Sequence, residues 1–516
     1  MLILYKKIIV AGALLSPRNN KKNKKLKYKI KEIKMSNVKK KRGFIESLAN
    51  ASTMVMQKFL PDAYIFAVIL TIIVFIASLI ATKQNFISIV GHWGKGVWSL
   101  LAFSMQMVLV LVTGHVLALS PPFKKLLDHL SNIPKTPAQG IALVSIISYT
   151  ACILNWGFGL IIGAIYAKEI AKKVKAIDYR LLIASAYSGF VLWHAGFSGS
   201  VPLVIAGGDL SATGGSLTEA VPVSHTLFSS YNIFIVVGMW ILLPIINVLM
   251  HPKNEEDVFV IDPKLIEDLK VDDVSKDDPN KLQPKSGLYF SAVSKEEFEK
   301  MTPAEKLENS CFVNYILAIL GFSYIVYYFV NSAKQGKFDL NLNIVNLIFL
   351  MFGVLFHRTP RSLIDAFSEA AKGAAGIILQ FPLYAGIMGM MTGASAEGVS
   401  LASVISNFFV NISTVKTFPL FTFLSAGIVN LFVPSGGGQW VVQGPIMMPA
   451  GLEIGVDPAK TAMCIAYGDS WTNMIQPFWA LPALGLAKLG ARDIMGYTLI
   501  VLIVSGLVIA AGVLFL

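Results

Sequence analysis

Apolar residues along the chain gather into runs of about 20, the length a helix needs to cross about 30 Å of hydrocarbon. Such runs lie near 62–81, 97–119, 181–206, 227–250, 312–330, 342–357, 373–392, 460–486 and 493–516, and they predict nine transmembrane helices. Two further apolar stretches, 138–171 and 416–455, are broken near their middles by glycine and polar residues: "NWGFG" (155–159) in one and "VPSGGGQWVVQGP" (433–445) in the other. Non-helical backbone at membrane depth is tolerated only against protein or a water-filled cavity, so both breaks must be enclosed. The runs 181–206 and 460–486 are interrupted too, at "WHAGFSGS" and "YGDSWTNMIQP", and predict discontinuous helices.

Charge placement decides how the two broken stretches cross. Lys124, Lys125 and Lys135 precede the first, and Lys168, Lys172, Lys173, Lys175 and Arg180 follow it. Both flanks are therefore cytoplasmic by the positive-inside rule. Arms of about 15 residues are short for full spans, which favours a re-entrant hairpin. The second stretch has sparse flanks (Lys416 before; Glu453, Asp457 and Lys460 after), while His357-Arg358 and Lys488 with Arg492 mark cytoplasmic ends two spans away. Counting from an inside N-terminus makes it a hairpin entering from the opposite face and puts the C-terminus outside.

Opposed hairpins imply duplicated halves, and sequence landmarks agree. Gln106 and Gln380, Asn155 and Asn430, Tyr187 and Tyr467, and Pro202 and Pro482 recur in the same order at separations of 274, 275, 280 and 280 residues. The fold class is then an all-α polytopic membrane protein of about nine transmembrane helices plus two re-entrant hairpins, in two inverted-topology repeats with discontinuous helices. Its domains are a basic extension (1–43), a first membrane repeat (44–250, hairpin 138–171), a charged cytoplasmic connector (251–310), and a linking helix with the second repeat (311–516, hairpin 416–455). The connector holds nine lysines and 15 of the 31 acids.

Composition supports the membrane reading: 54% of the 516 residues are hydrophobic, 15% are charged, and the mean hydropathy is +0.63. The net charge of +13 is a tail property, because residues 1–42 carry 15 Lys or Arg against Glu32 alone. Such a tail holds an N-terminus inside and touches anionic lipid; with no aromatic platform beside the lysines, nucleic acid is not an expected partner. Residues 8–15 lack a cleavage site after them, which argues against a signal peptide, and Met35 is an alternative start. Cys152, Cys311 and Cys464 are widely spaced and imply neither disulfides nor a metal centre. No cofactor is implied.

The polar insertions carry the candidate chemistry. Ser435, Gly436, Gly437 and Gly438 at a hairpin tip would offer amide N–H groups, and the arm beginning at Gln439 points its positive dipole end inward, a setting for an anion. Tight glycine packing is the plainer alternative. Asn155, Gly157, Gly159 and Ser198 are the corresponding points of the first half. Asp469 is the single acid well inside a predicted span and a candidate for a coupling cation, H⁺ or Na⁺, against the plainer role of partner to a buried donor. Tyr467, Trp471, Asn473 and Gln476 crowd the same span, and Pro477 removes a helical donor there. Asn473 would join the anion site, and Trp156, Phe197, Trp440, Tyr467, Trp471 and Phe478 would line its wall. His115 and His194 are weighed as proton relays against structural roles. "GFSG" (196–199) also fits an intramembrane serine protease, with His225 or His357 as base, and a carboxylate sensor without transport stands as a third reading.

At "LLAFSMQMVLVLVTGHVLA", "NWGFGLIIGA", "VPSGGGQWVVQGP" and "AYGDSWTNMIQPFWALPALGLAKLGARDIMGY" the chain resembles the short-chain fatty acid transporter family (AtoE type), within the wider ion-transporter superfamily. The likeness runs from about residue 44 to the C-terminus; the tail before it departs from the pattern, and the family also carries glutamate at the place of Asp469. The resemblance implies an inner-membrane carrier for short-chain fatty acids such as acetoacetate or butyrate, working by symport and alternating access with paired hairpins and elevator-like motion, and it is compatible with a homodimer.

Overall fold

The computed structural model describes residues 43–59, 62–208, 210–261, 295–334, 342–434 and 436–516, and every regular element among them is helical. The basic extension up to residue 42, most of the connector (262–294) and Ser435 lie outside the described residues. The first series of helices is α1 (Phe44–Phe59), α2 (Ala63–Thr82), α3 (Phe86–Val97), α4 (Leu101–Leu119), α5 (Pro121–Ser131), α6 (Pro137–Leu154), α7 (Trp156–Lys173), α8 (Tyr179–Ser188), α9 (Ser200–Ala206) and α10 (Ser230–Leu249). A 3-10 helix, Gly189–Ala195, continues α8. Two short helices, α11 (Lys295–Lys300) and α12 (Pro303–Glu308), close the connector. The chain then runs through α13 (Cys311–Lys334), α14 (Leu342–His357), α15 (Pro360–Ala371), α16 (Ala375–Thr392), α17 (Leu401–Asn411), α18 (Phe418–Asn430), α19 (Gly436–Ile454), α20 (Pro458–Thr472), α21 (Leu481–Ala487) and α22 (Ala491–Phe515).

The helices start where the sequence caps them. Asp62, Asn85, Thr136, Asp178 and Asp457 each accept a hydrogen bond from a first-turn N–H of the helix they precede. Pro121, Pro137, Pro360 and Pro458 stand at first-turn positions where a missing N–H costs nothing. Among the described residues seven helical stretches are long and apolar enough to cross a membrane: Tyr64–Thr82, Pro137–Leu154, Tyr179–Ala206, Ser230–Leu249, Cys311–Lys334, Pro360–Thr392 and Ala491–Phe515. The runs 97–119 and 342–357 form shorter apolar helices, and 460–486 divides into α20 and α21. Ile69, Ile73 and Ile76 on α2 and Phe312, Ile319 and Leu320 on α13 are exposed, as lipid-facing side chains must be.

Helix order repeats between the two series. α3 and α15 have 12 residues each, α5 and α17 have 11 each, and α9 and α21 have seven each. Packing exchanges between the series: α4 lies on α14 and α15, while its counterpart α16 lies on α2 and α3. At one such crossing a Cβ on Gly389 would stand 2.5 Å from the His92 carbonyl oxygen and 2.8 Å from the Gly96 Cα, so only glycine permits the approach. α1 and α13 break the correspondence, α1 packing on α22 and α13 on α14. Glu46 anchors α1, accepting from the N–H groups of Gly43 (3.0 Å) and Lys253 (2.9 Å).

Both broken stretches fold as helix pairs. The arms of the first, α6 and α7, have 18 residues each, longer than the pattern suggested because helix persists on both sides up to Asn155. Those of the second, α18 and α19, have 13 and 19.

Candidate functional site

The first pair turns on one residue. Asn155 is extended (φ −155°, ψ 124°), and its side chain accepts from the Phe158 N–H at 3.0 Å, capping α7. The adjoining break between α8 and α9 is sewn to this tip: the Phe197 N–H donates to the Ile153 carbonyl (2.7 Å), and the Trp156 N–H donates to Ser198 Oγ (3.0 Å). In the second series Asn430 does the equivalent work with its amide, donating to the Asp469 carbonyl (2.8 Å) and to Thr472 Oγ (2.9 Å). Each tip thus holds the broken helix of its own series.

The second arm of each pair begins against the other series. A Cβ on Gly436, at the start of α19, would lie 2.3 Å from His194 Nε2 and 2.8 Å from Trp193 Cη2. Trp156, at the start of α7, packs edge-on to Trp479 with ring centroids 5.1 Å apart. The two breaks also bond directly. Tyr187 donates through its hydroxyl to the Asn473 carbonyl (2.7 Å), and Trp193 donates through its indole N–H to Asn473 Oδ1 (3.2 Å). Tyr467 donates to Asn232 Oδ1 (2.6 Å), whose amide reaches the Ala195 carbonyl (3.2 Å).

At this crossing polar atoms are buried without partners among the described residues: both ring nitrogens of His194, both carboxylate oxygens of Asp469, Nδ2 of Asn473 and both amide atoms of Gln476. None of the four side chains is more than 1% exposed. His194 Nε2 and Asp469 Oδ1 stand 3.8 Å apart. Each stranded group costs about 1–3 kcal/mol, so a concentration of them marks a place built for something that satisfies them. Aromatic rings border it: Phe190 stacks on Trp193 (5.5 Å), and Phe478 stacks on Phe381 (4.0 Å). Donors and acceptors beside flat apolar faces suit a small ligand with one polar end.

The remaining candidates are distributed more widely. Gly157 and Gly159 are buried in α7, and a Cβ on Gly159 would stand 2.4 Å from Cys152 Sγ, so Gly159 lets α6 and α7 meet. Gly437 has open space where its Cβ would be. Gly438 follows it on α19; Ser435 lies outside the described residues. Gln439 braces the second pair from within, donating to the Ala426 carbonyl (2.8 Å) and to Gln443 Oε1 (2.8 Å). Trp440 is buried in a separate apolar cluster with Val201 and Met447. Phe197 is 40% exposed and lies against Phe228. Trp471 turns to α18 and α22, packing on Phe423 and donating to the Leu502 carbonyl (2.7 Å). Phe190, Trp193, Phe381 and Trp479 escaped the sequence reading; the aromatic neighbours of His194 and Pro477 were the available signal. Among the described residues no three His, Cys, Asp or Glu side chains gather as a metal site.

Comparison with known proteins decides the family. The profile described as "Short chain fatty acid transporter" matches residues 44–516. The chain belongs to the short-chain fatty acid transporter family. An Escherichia coli K12 protein named "Putative short-chain fatty acid transporter" is 44% identical over 472 residues, covering 91% of this chain and 99% of its own. A Haemophilus influenzae protein of the same name is 44% identical over 477 residues, covering 92% and 100%. The solved YdaH transporter of Alcanivorax borkumensis aligns over 88% of this chain and 97% of its own at 16% identity, with a TM-score of 0.40, too loose a likeness to carry an argument. Membership makes the chain a multi-pass membrane transporter and removes the protease reading. In this transporter Ser198 accepts the Trp156 N–H, and His357 is engaged by Ser362 (3.0 Å) and the Val116 carbonyl (2.8 Å).

Proposed function

We propose that the chain is a secondary active carrier that moves short-chain monocarboxylates such as acetoacetate and butyrate across the cytoplasmic membrane by alternating access. The observation that carries this reading is the set of buried, unpartnered polar atoms on His194, Asp469, Asn473 and Gln476 where the two broken helices cross. Asn473, Gln476 and the start of α19 serve the carboxylate head, and the rings of Trp156, Trp193 and Phe478 serve the short tail. Each buried methylene adds only about 0.8 kcal/mol, so chain length is limited by the room the rings leave rather than by affinity.

The halves 44–250 and 311–516 are inverted repeats in this reading, each contributing a re-entrant pair from its own face. The N-terminus is cytoplasmic by its lysines and the C-terminus is outside. An anion entering a negative-inside cell works against about 2.3 kcal/mol per 100 mV, and one accompanying cation, H⁺ or Na⁺, cancels that cost. Asp469 is the site for that cation. The test is uptake of labelled acetate, butyrate and acetoacetate into proteoliposomes under separately imposed proton, Na⁺ and electrical gradients, with protein-free liposomes subtracted. Protein-dependent accumulation under a cation gradient is expected; no protein-dependent flux of any of the three acids overturns the reading.

A further inference from the structure

Three other buried groups show what is special about the site. Among the described residues the buried ionisable side chains besides His194 and Asp469 include Glu46, Asp178 and His357, and each is accounted for. Glu46 accepts two backbone N–H groups. Asp178 accepts from the N–H groups of Leu181 (2.9 Å) and Phe259 (2.9 Å) and has the Arg180 guanidinium 3.6 Å away. His357 has a partner on each ring nitrogen. Among the described residues His194 and Asp469 face each other without such partners, neither imidazole nitrogen nor carboxylate oxygen making a full hydrogen bond, with the Asn473 side chain beside Asp469.

Resting on the carrier reading, we infer that His194 is the cationic anchor of the transported carboxylate and that Asp469, the counter-ion it displaces, takes up one proton for each carboxylate bound. The empty pair shares one proton between imidazole and carboxylate and is neutral. An arriving carboxylate takes the place of Asp469 beside the imidazolium. Two carboxylates around one cation in a dry site cannot both stay ionised, so Asp469 is protonated from the side on which substrate entered. The loaded site then holds two protons and one substrate anion and is again neutral. When the substrate leaves, Asp469 releases its proton to the opposite side and returns to His194. One proton moves with each anion, and neither crossing form carries net charge, which is the condition for burying ionic groups without large cost.

The surroundings fit this cycle. The elements packed on the pair are α6 to α10, α18, α19 and α22. Their charged residues, including Lys168, Arg180, Glu453, Arg492 and Asp493, lie towards helix ends. Lys460, on α20 itself, is nine residues and therefore about 13 Å of helix from Asp469. The other titratable groups on these elements, among them the hydroxyls of Tyr149, Tyr187, Tyr231 and Tyr467 and the thiols of Cys152 and Cys464, are buried. The ring nitrogen of an imidazole is also a poor ligand for Na⁺, so a histidine facing the carboxylate selects the proton. Gly436 sets the start of α19, the positive end of that helix's dipole, directly on the imidazole, where an anion is favoured by both.

The full chain in proteoliposomes tests this in two arms. In the first, wild-type butyrate uptake is driven by an acid-outside pH step, stays the same with choline in place of Na⁺, and changes by less than two-fold when a potassium-valinomycin potential of either sign is imposed. A Na⁺ requirement, or a ten-fold response to potential, overturns the inference. In the second, butyrate–butyrate exchange is measured from pH 5.5 to 8 in variants of unchanged melting temperature. His194→Gln, which has no cationic form, loses exchange at least ten-fold at every pH. Asp469→Asn, which must protonate a buried His194 with no counter-ion, falls at least ten-fold at pH 7.5 and recovers with acid. Exchange by His194→Gln at the wild-type rate refutes the anchor. Absence of protein-dependent flux in wild type defeats instead the carrier reading; flux with the wrong ion dependence leaves that reading standing and defeats only this one.

Discussion

Gly436 and Gly437 are neighbours in one motif, yet the structure gives them opposite tolerances, and the pair of alanine variants separates packing from access. An alanine methyl at 436 would sit 2.3 Å from His194 Nε2, 2.7 Å from Cε1 and 2.8 Å from Trp193 Cη2. All three approaches are far inside contact distance, and both rings are fully buried, so neither can swing into solvent. Overpacking of this kind costs about 1–3 kcal/mol, against at most about 1 kcal/mol gained by replacing glycine with alanine in a helix. At 437 nothing lies within 4 Å of the added methyl, so only the helical gain remains. Melting in detergent should show Gly436→Ala destabilised and Gly437→Ala unchanged or raised. Butyrate exchange should fall in the first because His194 is displaced. If Gly436→Ala melts and transports like wild type, the tip is not seated on His194. If Gly437→Ala melts early, that face of the tip is not open.

Three further outcomes follow from packed or bonded groups elsewhere. Tyr467→Phe strands the buried Asn232 Oδ1 that now receives the phenol at 2.6 Å, and should lower stability by about 1–3 kcal/mol in denaturant or thermal unfolding; no change would mean that the bond is not made. Gly496→Ala sets a methyl 2.3 Å from the Thr53 Cα, so α1 must lift from α22, and limited proteolysis should cut within 44–59 faster than in wild type. Burial holds His251 below its ordinary pKa, and its neutral Nε2 accepts the Asp178 N–H at 3.2 Å. A base held neutral stabilises the fold above its unfolded pKa of about 6.5 and loses that contribution as pH falls. Melting temperature should therefore drop below about pH 6.5, and the drop should shrink in His251→Gln.

Where the backbone breaks was legible, because a span has a required length and glycine, asparagine and proline stand out inside an apolar run. Asn155 terminates one helix and caps the next, as its short polar side chain suggests, and Pro477 lies in the gap between α20 and α21. Which way a side chain faces was not legible, because that depends on the rotation of a helix against partners distant in sequence. Asp469 and Trp471 sit two residues apart on α20; the first meets His194, and the second, on a different face, meets Phe423 and the Leu502 carbonyl. Gln439 looks like a ligand donor by its place after three glycines, but its amide N–H groups are both engaged inside its own helix pair. The short helices α3, α5, α15 and α17 were missed because 11 or 12 residues are too few to register as spans.

The same dependence on distant partners gives the site its mechanical character. Neither series completes it alone: His194 comes from the first, Asp469, Asn473 and Gln476 from the second, and each helix pair opens its second arm against the other's break. The direct polar ties described between the two breaks are few, the Tyr187 hydroxyl and the Trp193 indole both ending on Asn473. Much of the rest of the contact is ring against ring, with Trp156, Phe190 and Trp193 all meeting Trp479. Ring faces can slide without stranding a donor or acceptor, whereas each hydrogen bond broken in a dry interior exposes two unsatisfied groups. Displacement of one break against the other is therefore resisted at Asn473 and, next to the breaks, at the Tyr467–Asn232 bond. In the proposed carrier a substrate carboxylate would accept from the Tyr187 hydroxyl and the Trp193 indole N–H as these leave Asn473, which links binding to movement through the same few atoms.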